Sequence, residues 1–153
     1  MLIRGSCHCR NISFLLTWEP DPTEIPARAC TCSFCTKHGG VWTSNPHASL
    51  TVHVEDPSLV SKYTHGTETA EFHICAKCGV VPLVTSRIDG SVYAVVSVNA
   101  FEGVEPSLLR RASASFEGES EASRLARRKR NWIGRVGYAE NAKLNLPSSN
   151  HAT

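Results

Sequence analysis

Apolar and polar residues alternate along much of the first hundred positions of the chain. Leu50-Thr51-Val52-His53-Val54 repeats with a period of two, which suits a strand whose successive side chains point to opposite faces. Ile12-Ser13-Phe14-Leu15-Leu16-Thr17-Trp18 is rich in β-forming residues and stops at Glu19-Pro20-Asp21-Pro22, a turn-forming cluster. Further strands are expected over 60–64, 70–74, 80–86 and 91–98, with Asp89-Gly90 closing a hairpin between the last two. Pro82 has no amide hydrogen to give to a ladder, which places its segment at a sheet edge or a bulge. After residue 105 the pattern changes. Glu119 to Asn131 opens with acids and ends in Arg127-Arg128-Lys129-Arg130, the charge order that complements a helix dipole, so one helix is expected there. From Tyr138 onward the chain is polar and poor in core-forming residues, the composition of a flexible tail. The elements predict a mainly β protein with one C-terminal helix.

A length of 153 residues fits one domain with a real core, and 41% hydrophobic with 20% charged residues places the chain among globular proteins. The net charge of +2 is too small for a whole-molecule attraction to nucleic acid or a membrane surface. No apolar run approaches the ~20 residues a membrane-spanning helix needs. The first cysteine falls at position 7, which leaves no room for a signal peptide and leads to an expected cytoplasmic location, with the nucleus left open. In that compartment thiols stay reduced.

That setting changes how the cysteines are read. Seven cannot all pair internally, and they fall in three tight clusters: Cys7-His8-Cys9, Cys30-Thr31-Cys32-Ser33-Phe34-Cys35 and Cys75-Ala76-Lys77-Cys78. Zinc takes thiolates tetrahedrally, and a structural site takes four. Cys75 and Cys78, followed by Gly79, can be presented by one tight turn. Cys7 and Cys9 can converge from one face of an extended strand. These four predict a structural site that clamps the N-terminal strand to a distant hairpin. Cys30, Cys32 and Cys35 offer only three sulfurs. Either a fourth position stays open, as in catalytic zinc sites, or a histidine closes the site, with His38 and His73 as candidates.

Together the three clusters resemble the glutathione-dependent formaldehyde-activating enzyme family, whose domain is shared with centromere protein V. The resemblance runs through Gly5-Ser6-Cys7-His8-Cys9-Arg10-Asn11-Ile12-Ser13-Phe14, the second cluster with Gly39 and Gly40, and Phe72-His73-Ile74-Cys75-Ala76-Lys77-Cys78-Gly79. It implies a β-tent fold of small antiparallel sheets joined at zinc. The resemblance covers about residues 3–103; with the helix and the polar tail read above, a single domain is expected over 1–137, with a core at 3–103 and a helical extension at 104–137, followed by a flexible tail at 138–153. The implied cofactors are two Zn2+ per chain: a structural one at Cys7, Cys9, Cys75 and Cys78, and a catalytic one at Cys30, Cys32 and Cys35. The implied activity joins formaldehyde to the thiol of glutathione, giving S-hydroxymethylglutathione, and in reverse is a carbon–sulfur lyase. Three thiolates would leave a zinc complex with net negative charge, so positioning a substrate thiolate suits it better than Lewis-acid work. Lys37 or His38 could offset that charge or bind a glutathione carboxylate.

The remaining histidines and aromatics fit structural roles. His53 and His73 occupy polar positions of expected strands and are expected at the surface, while His8 should point away from its neighbours' metal. Trp42 is expected in the core. Residues 110–135 hold eight of the sixteen Lys and Arg against three glutamates, which is expected to form a solvated helix face. Two functions follow. One is a zinc-dependent carbon–sulfur lyase or synthase acting on a small thiol such as glutathione and an aldehyde adduct. The alternative is a non-catalytic, zinc-stabilised module resembling centromere protein V, whose basic helix meets an anionic partner. Neither a nucleic-acid nor a membrane partner is expected, and a homo-oligomer is left open.

Overall fold

The computed structural model describes residues 1–139. In chain order its first strands are β1 (Leu2–Ser6), β2 (Ile12–Thr17) and β3 (Ile25–Cys30), followed by helix α1 (Ser33–His38). Next come β4 (Val41–Thr43), β5 (Ser49–Val54), β6 (Val60–Tyr63) and β7 (Glu71–Cys75). β8 (Leu83–Ile88), β9 (Ser91–Ser97) and β10 (Phe101–Glu102) complete the central part. Strand β11 (Leu109–Ala114), helix α2 (Glu121–Asn131) and strand β12 (Arg135–Tyr138) follow. The expected mainly β architecture with one main helix is present. No helix among the described residues is long and apolar enough to cross a membrane.

Two sheets form, one of five strands in the order β10-β1-β2-β5-β12 and one of seven in the order β11-β3-β4-β9-β8-β7-β6. The β1–β2 hairpin sets the first sheet, with Ile3 opposite Leu16 and Gly5 opposite Phe14. Any side chain at Gly5 would collide with the Phe14 ring, so glycine is what lets that ring lie against the backbone. Ile12, Phe14 and Leu16 then point inward at every second position. The β8–β9 hairpin centres the second sheet, turned by Asp89 and Gly90, both at positive φ.

Side-chain alternation gives the seven-stranded sheet two buried faces. Leu83, Ala94 and Val96 join Ile3, Phe14, Leu16 and Leu50 in one core, which is where the two sheets meet. Val84 and Val95 point the other way and pack with Phe72, Trp42, Cys35 and Trp132. A sheet covered on both faces needs near-continuous apolar runs, and Val92 to Val96 supplies one.

The sheets are not purely antiparallel, because β11 runs parallel to β3 and β12 parallel to β5. The segment expected to be a helical extension therefore adds an edge strand to each sheet as well as α2. Pro82 lies just before β8 and is fully buried; its carbonyl accepts from the Ser97 amide at 2.9 Å, so it starts a central strand and marks no edge or bulge. His73 is buried, not on the surface: on β7 it pairs with Lys62 of the outer strand β6, and its Nε2 meets Thr85 Oγ1 of β8 at 2.8 Å. Tyr138 closes β12, and the rest of the expected tail, from residue 140, lies outside the described residues.

Candidate metal centres

Cys7 and Cys9 sit in the turn between β1 and β2. The Cys7 amide donates to the Ile12 carbonyl (2.8 Å), the Arg10 amide donates to the Cys7 carbonyl (3.1 Å), and Arg10 takes a φ of 67°. The sulfurs thus converge through a turn, not through the alternation of an extended strand. Cys75 ends β7, and the next residues fold back: the Gly79 amide donates to the Cys75 carbonyl (2.8 Å), with Gly79 at φ 81°. Glycine adopts that left-handed conformation without Cβ strain, which brings Cys78 round to Cys75.

All four sulfurs lie within 4.8 Å of one another. Cys9 Sγ is 3.8 Å from Cys7 Sγ and 3.4 Å from Cys75 Sγ. A tetrahedron with 2.3 Å metal–sulfur bonds has edges of about 3.8 Å, so the cluster fits a thiophilic cation. Its electrostatics agree. Burial pushes the Cys7 thiol up to about 12. At Cys78 burial also pushes upward, but hydrogen bonds from the Cys9 and Val80 amides and the neighbouring thiols bring it down to about 6. Such a set cannot shed all its protons without a positive charge among the sulfurs.

The second cluster is built at the start of α1. Cys30 ends β3, Cys32 is the N-cap, and Cys35 lies in the helix. The Cys35 amide donates to Cys32 Sγ at 3.3 Å, so the cap and a metal would use the same sulfur. Gly39, at φ 73°, ends the helix. Trp42 Nε1–H donates to Cys35 Sγ at 3.4 Å. Trp42 is buried as expected, and it also serves the cluster. The three sulfurs lie within 4.8 Å of one another, and among the described residues no histidine, aspartate or glutamate joins them as a fourth ligand. His73 cannot close the set from its present place, because its Nε2 meets Thr85 Oγ1 at 2.8 Å on the face of β7 opposite Phe72. A hydrogen bond from the Cys35 thiol, opposed by burial and aided by the Cys32 amide, draws Cys30 down to about 5. The same bond, with burial, pushes Cys35 upward.

A cavity of about 760 Å³ opens beside this cluster. Trp42, Phe72, Val84 and Val95 supply an apolar wall from the seven-stranded sheet, and Trp132 continues it at the end of α2. His65 joins the lining and stacks on Phe72 with ring centroids 5.4 Å apart. The remaining wall carries Arg28 from β3 and Arg124, Arg127 and Arg128 from α2. Lys37 and His38 occupy the exposed last turn of α1 and do not line the cavity; the His38 ring rests on Phe34, with centroids 4.5 Å apart.

A family model described as glutathione-dependent formaldehyde-activating enzyme matches residues 2–115, a span that holds all seven cysteines. The chain belongs to that family. A Halomonas elongata protein named "Putative glutathione-dependent formaldehyde-activating enzyme" is 33% identical over 85 residues, which cover 51% of this chain and 52% of that protein. The chain thus matches about half the length of that curated relative. A solved Rhodobacter sphaeroides protein is 26% identical, covers 68% of this chain and 92% of its own, and superposes with a TM-score of 0.49. The formaldehyde-activating family match stops before α2 and β12.

The sequence pointed to both cysteine groups and to a basic helix expected as a solvated face, but not to the cavity that Arg28, Arg124, Arg127 and Arg128 line. Arg124, Arg127 and Arg128 stand at i, i+3 and i+4, the spacing of one helix face, and Arg28 stands two residues before Cys30 on one face of a strand. Those spacings were the available signal. They were masked because a basic run at a helix end also fits a solvated surface.

Proposed function

We propose that Cys7, Cys9, Cys75 and Cys78 hold a structural zinc ion, and that Cys30, Cys32 and Cys35 hold a second one with a fourth ligand left to substrate. On this reading the protein is a cytoplasmic carbon–sulfur lyase or synthase that joins a small thiol to an aldehyde. Residues 1–137 act as one domain. The family's name points to glutathione and formaldehyde as the pair. One observation carries the reading: three sulfurs, without a fourth protein ligand among the described residues, border a cavity of small-molecule size.

Bound zinc would supply a lowered thiol pKa, so that a thiolate is present at neutral pH. The chain's own residues do the rest. The Cys32 sulfur accepts from the Cys35 amide and the Cys35 sulfur from Trp42, which fixes both in position. Phe72, Val84, Val95 and Trp132 give the cavity apolar walls that exclude water from the adduct. In the forward direction the thiol S–H bond breaks, a sulfur–carbon bond forms at the carbonyl carbon, and a proton is delivered to the carbonyl oxygen. The reverse step breaks the same bond, and no electrons leave the pair. His65 lines the cavity and can hold that proton. The lining supports the three cysteines in this role more than Lys37 and His38.

The alternative module with a basic helix for an anionic partner has less support, because Arg124, Arg127 and Arg128 turn into the cavity. Metal content by elemental analysis, paired with X-ray absorption during a glutathione titration, tests the choice. The expected result is two zinc ions per chain, one of which gains a sulfur ligand on adding glutathione. Two zinc ions whose coordination ignores glutathione would remove the thiol-binding role.

A further inference from the structure

The cavity wall is unbalanced in charge. It carries Arg28, Arg124, Arg127 and Arg128 against a single acid, Glu117. Glu119 occupies two of these arginines, at 2.9 Å from Arg127 Nε and 3.7 Å from Arg124 Nε. Arg28 and Arg128 have no carboxylate partner among the described residues. Arg128 is only 6% exposed. Its Nη1 donates to Thr69 Oγ1 (2.8 Å) and Ser86 Oγ (3.2 Å), and its Nε has no hydrogen-bond partner among the described residues. Among the described residues Arg28 reaches only Ser44 Oγ, at 3.5 Å.

A guanidinium removed from water and left beside other cations is unfavourable unless an anion joins it. Burial, then repulsion from Arg124 and Arg127, draws Arg128 down to about 10. Arg28 and Arg128 are nonetheless held in place. Arg128 lies over the Trp132 ring, 4.9 Å from its centroid, and the strand pairing of β3 with β4 and β11 fixes the backbone of Arg28. Arg28 also shares a face of β3 with Cys30, about 7 Å away along the strand. Arg28, Arg128 and the three cysteines line one cavity, so a small molecule there can face both the arginines and the cluster.

We infer that Arg28 and Arg128 form an oxyanion subsite that selects small thiols bearing a carboxylate or phosphoryl group. As a claim about thiols this rests on the function proposed above; the grip on the anion does not. Arg128 belongs to α2, beyond the residues the family model matches, so on this inference substrate choice draws partly on a segment outside the matched span.

The test uses the zinc-loaded full chain and calorimetric titration with 3-mercaptopropionate, neutral 2-mercaptoethanol, and the thiol-free anions glutarate and inorganic phosphate. The charged thiol is expected to bind about ten-fold more tightly than the neutral one, the scale of a charge-assisted contact. Arg28→Gln and Arg128→Gln should each bring that ratio to about two-fold or less while leaving 2-mercaptoethanol affinity unchanged. Arg28→Lys should retain part of the preference. Should Arg128→Gln fail to fold, Arg28→Gln decides alone. Competition by glutarate assigns the subsite to carboxylates, and competition by phosphate alone assigns it to phosphoryl groups. Equal affinity for the two thiols, or a preference that survives Arg28→Gln, overturns the inference. If neither thiol binds while glutarate or phosphate binds and is lost in the variants, the oxyanion subsite stands and the thiol-site reading falls.

Discussion

At the scale of single residues, Glu119 is the counter-charge that lets α2 turn arginines inward. Its carboxylate takes both Arg127 Nε (2.9 Å) and Nη2 (3.1 Å), and the Arg127 guanidinium in turn lies 3.8 Å from the centroid of the Phe116 ring. The Arg127 hydrogen bonds hold the Glu119 carboxyl below its ordinary 4.5, with burial acting in the opposite direction. A depressed carboxylate contributes stability that is present above the unfolded-state value and lost as pH falls through the folded one. Glu119→Gln should therefore destabilise the protein by about 1 kcal/mol at neutral pH, the range of a well-formed, partly exposed pair. The difference from the parent should close as pH drops below 4.5. Urea denaturation at neutral and acid pH measures both. A gap that persists in acid would mean that packing, not charge, ties Glu119 to α2.

At the scale of elements, helix α1 is only six residues long and depends on its termini. The sulfur of Cys32 caps it, and serine is among the best residues at that place. Cys32→Ser should keep the helix and alter stability by about 1 kcal/mol or less, the scale of a cap change. Zinc content should fall from two ions per chain to one. Elemental analysis with a thermal melt reads both, and wholesale unfolding would instead make the three-cysteine site structural. The elements differ in how legible they were. The β8–β9 hairpin could be read from Asp89-Gly90 and its flanks, and α2 from its charge order, because both signals are local. Strands β11 and β12 could not. Leu109 to Ala114 has intermediate burial only at its two ends and exposed residues between, so no alternation marks it; it is a strand because β3 offers an open edge to a segment far along the chain. The cysteine clusters were legible for the same local reason as the hairpin, since turn spacing sets which sulfurs can meet. The cavity was not, because it arises where β3, β8, β9 and α2 come together only in the folded chain.

For the molecule as a whole, the two candidate centres have different structural reach. The four-cysteine cluster joins the β1–β2 turn of the five-stranded sheet to the end of β7 in the seven-stranded sheet, and Cys7 and Cys75 belong to the core between them. Cys9 and Cys75 are 66 residues apart in sequence, so a metal there closes a long loop in the unfolded chain as well as bonding two layers of the folded one. Cys30, Cys32 and Cys35 span a single strand end and the helix beside it, and closing that short segment restrains little. Metal-binding free energy at a site formed only on folding counts toward folding. Cys75→Ser should therefore cost about 3 kcal/mol or more, or abolish cooperative unfolding, whereas Cys30→Ser should leave the core intact. Amide hydrogen exchange locates the difference. In Cys75→Ser, or under a strong chelator, protection should fall first in β1, β2 and β7. In Cys30→Ser the loss should stay near α1 and the end of β3. Equal losses from both variants would show that the three-cysteine centre also joins the layers, and the division into one structural and one reacting site would fail.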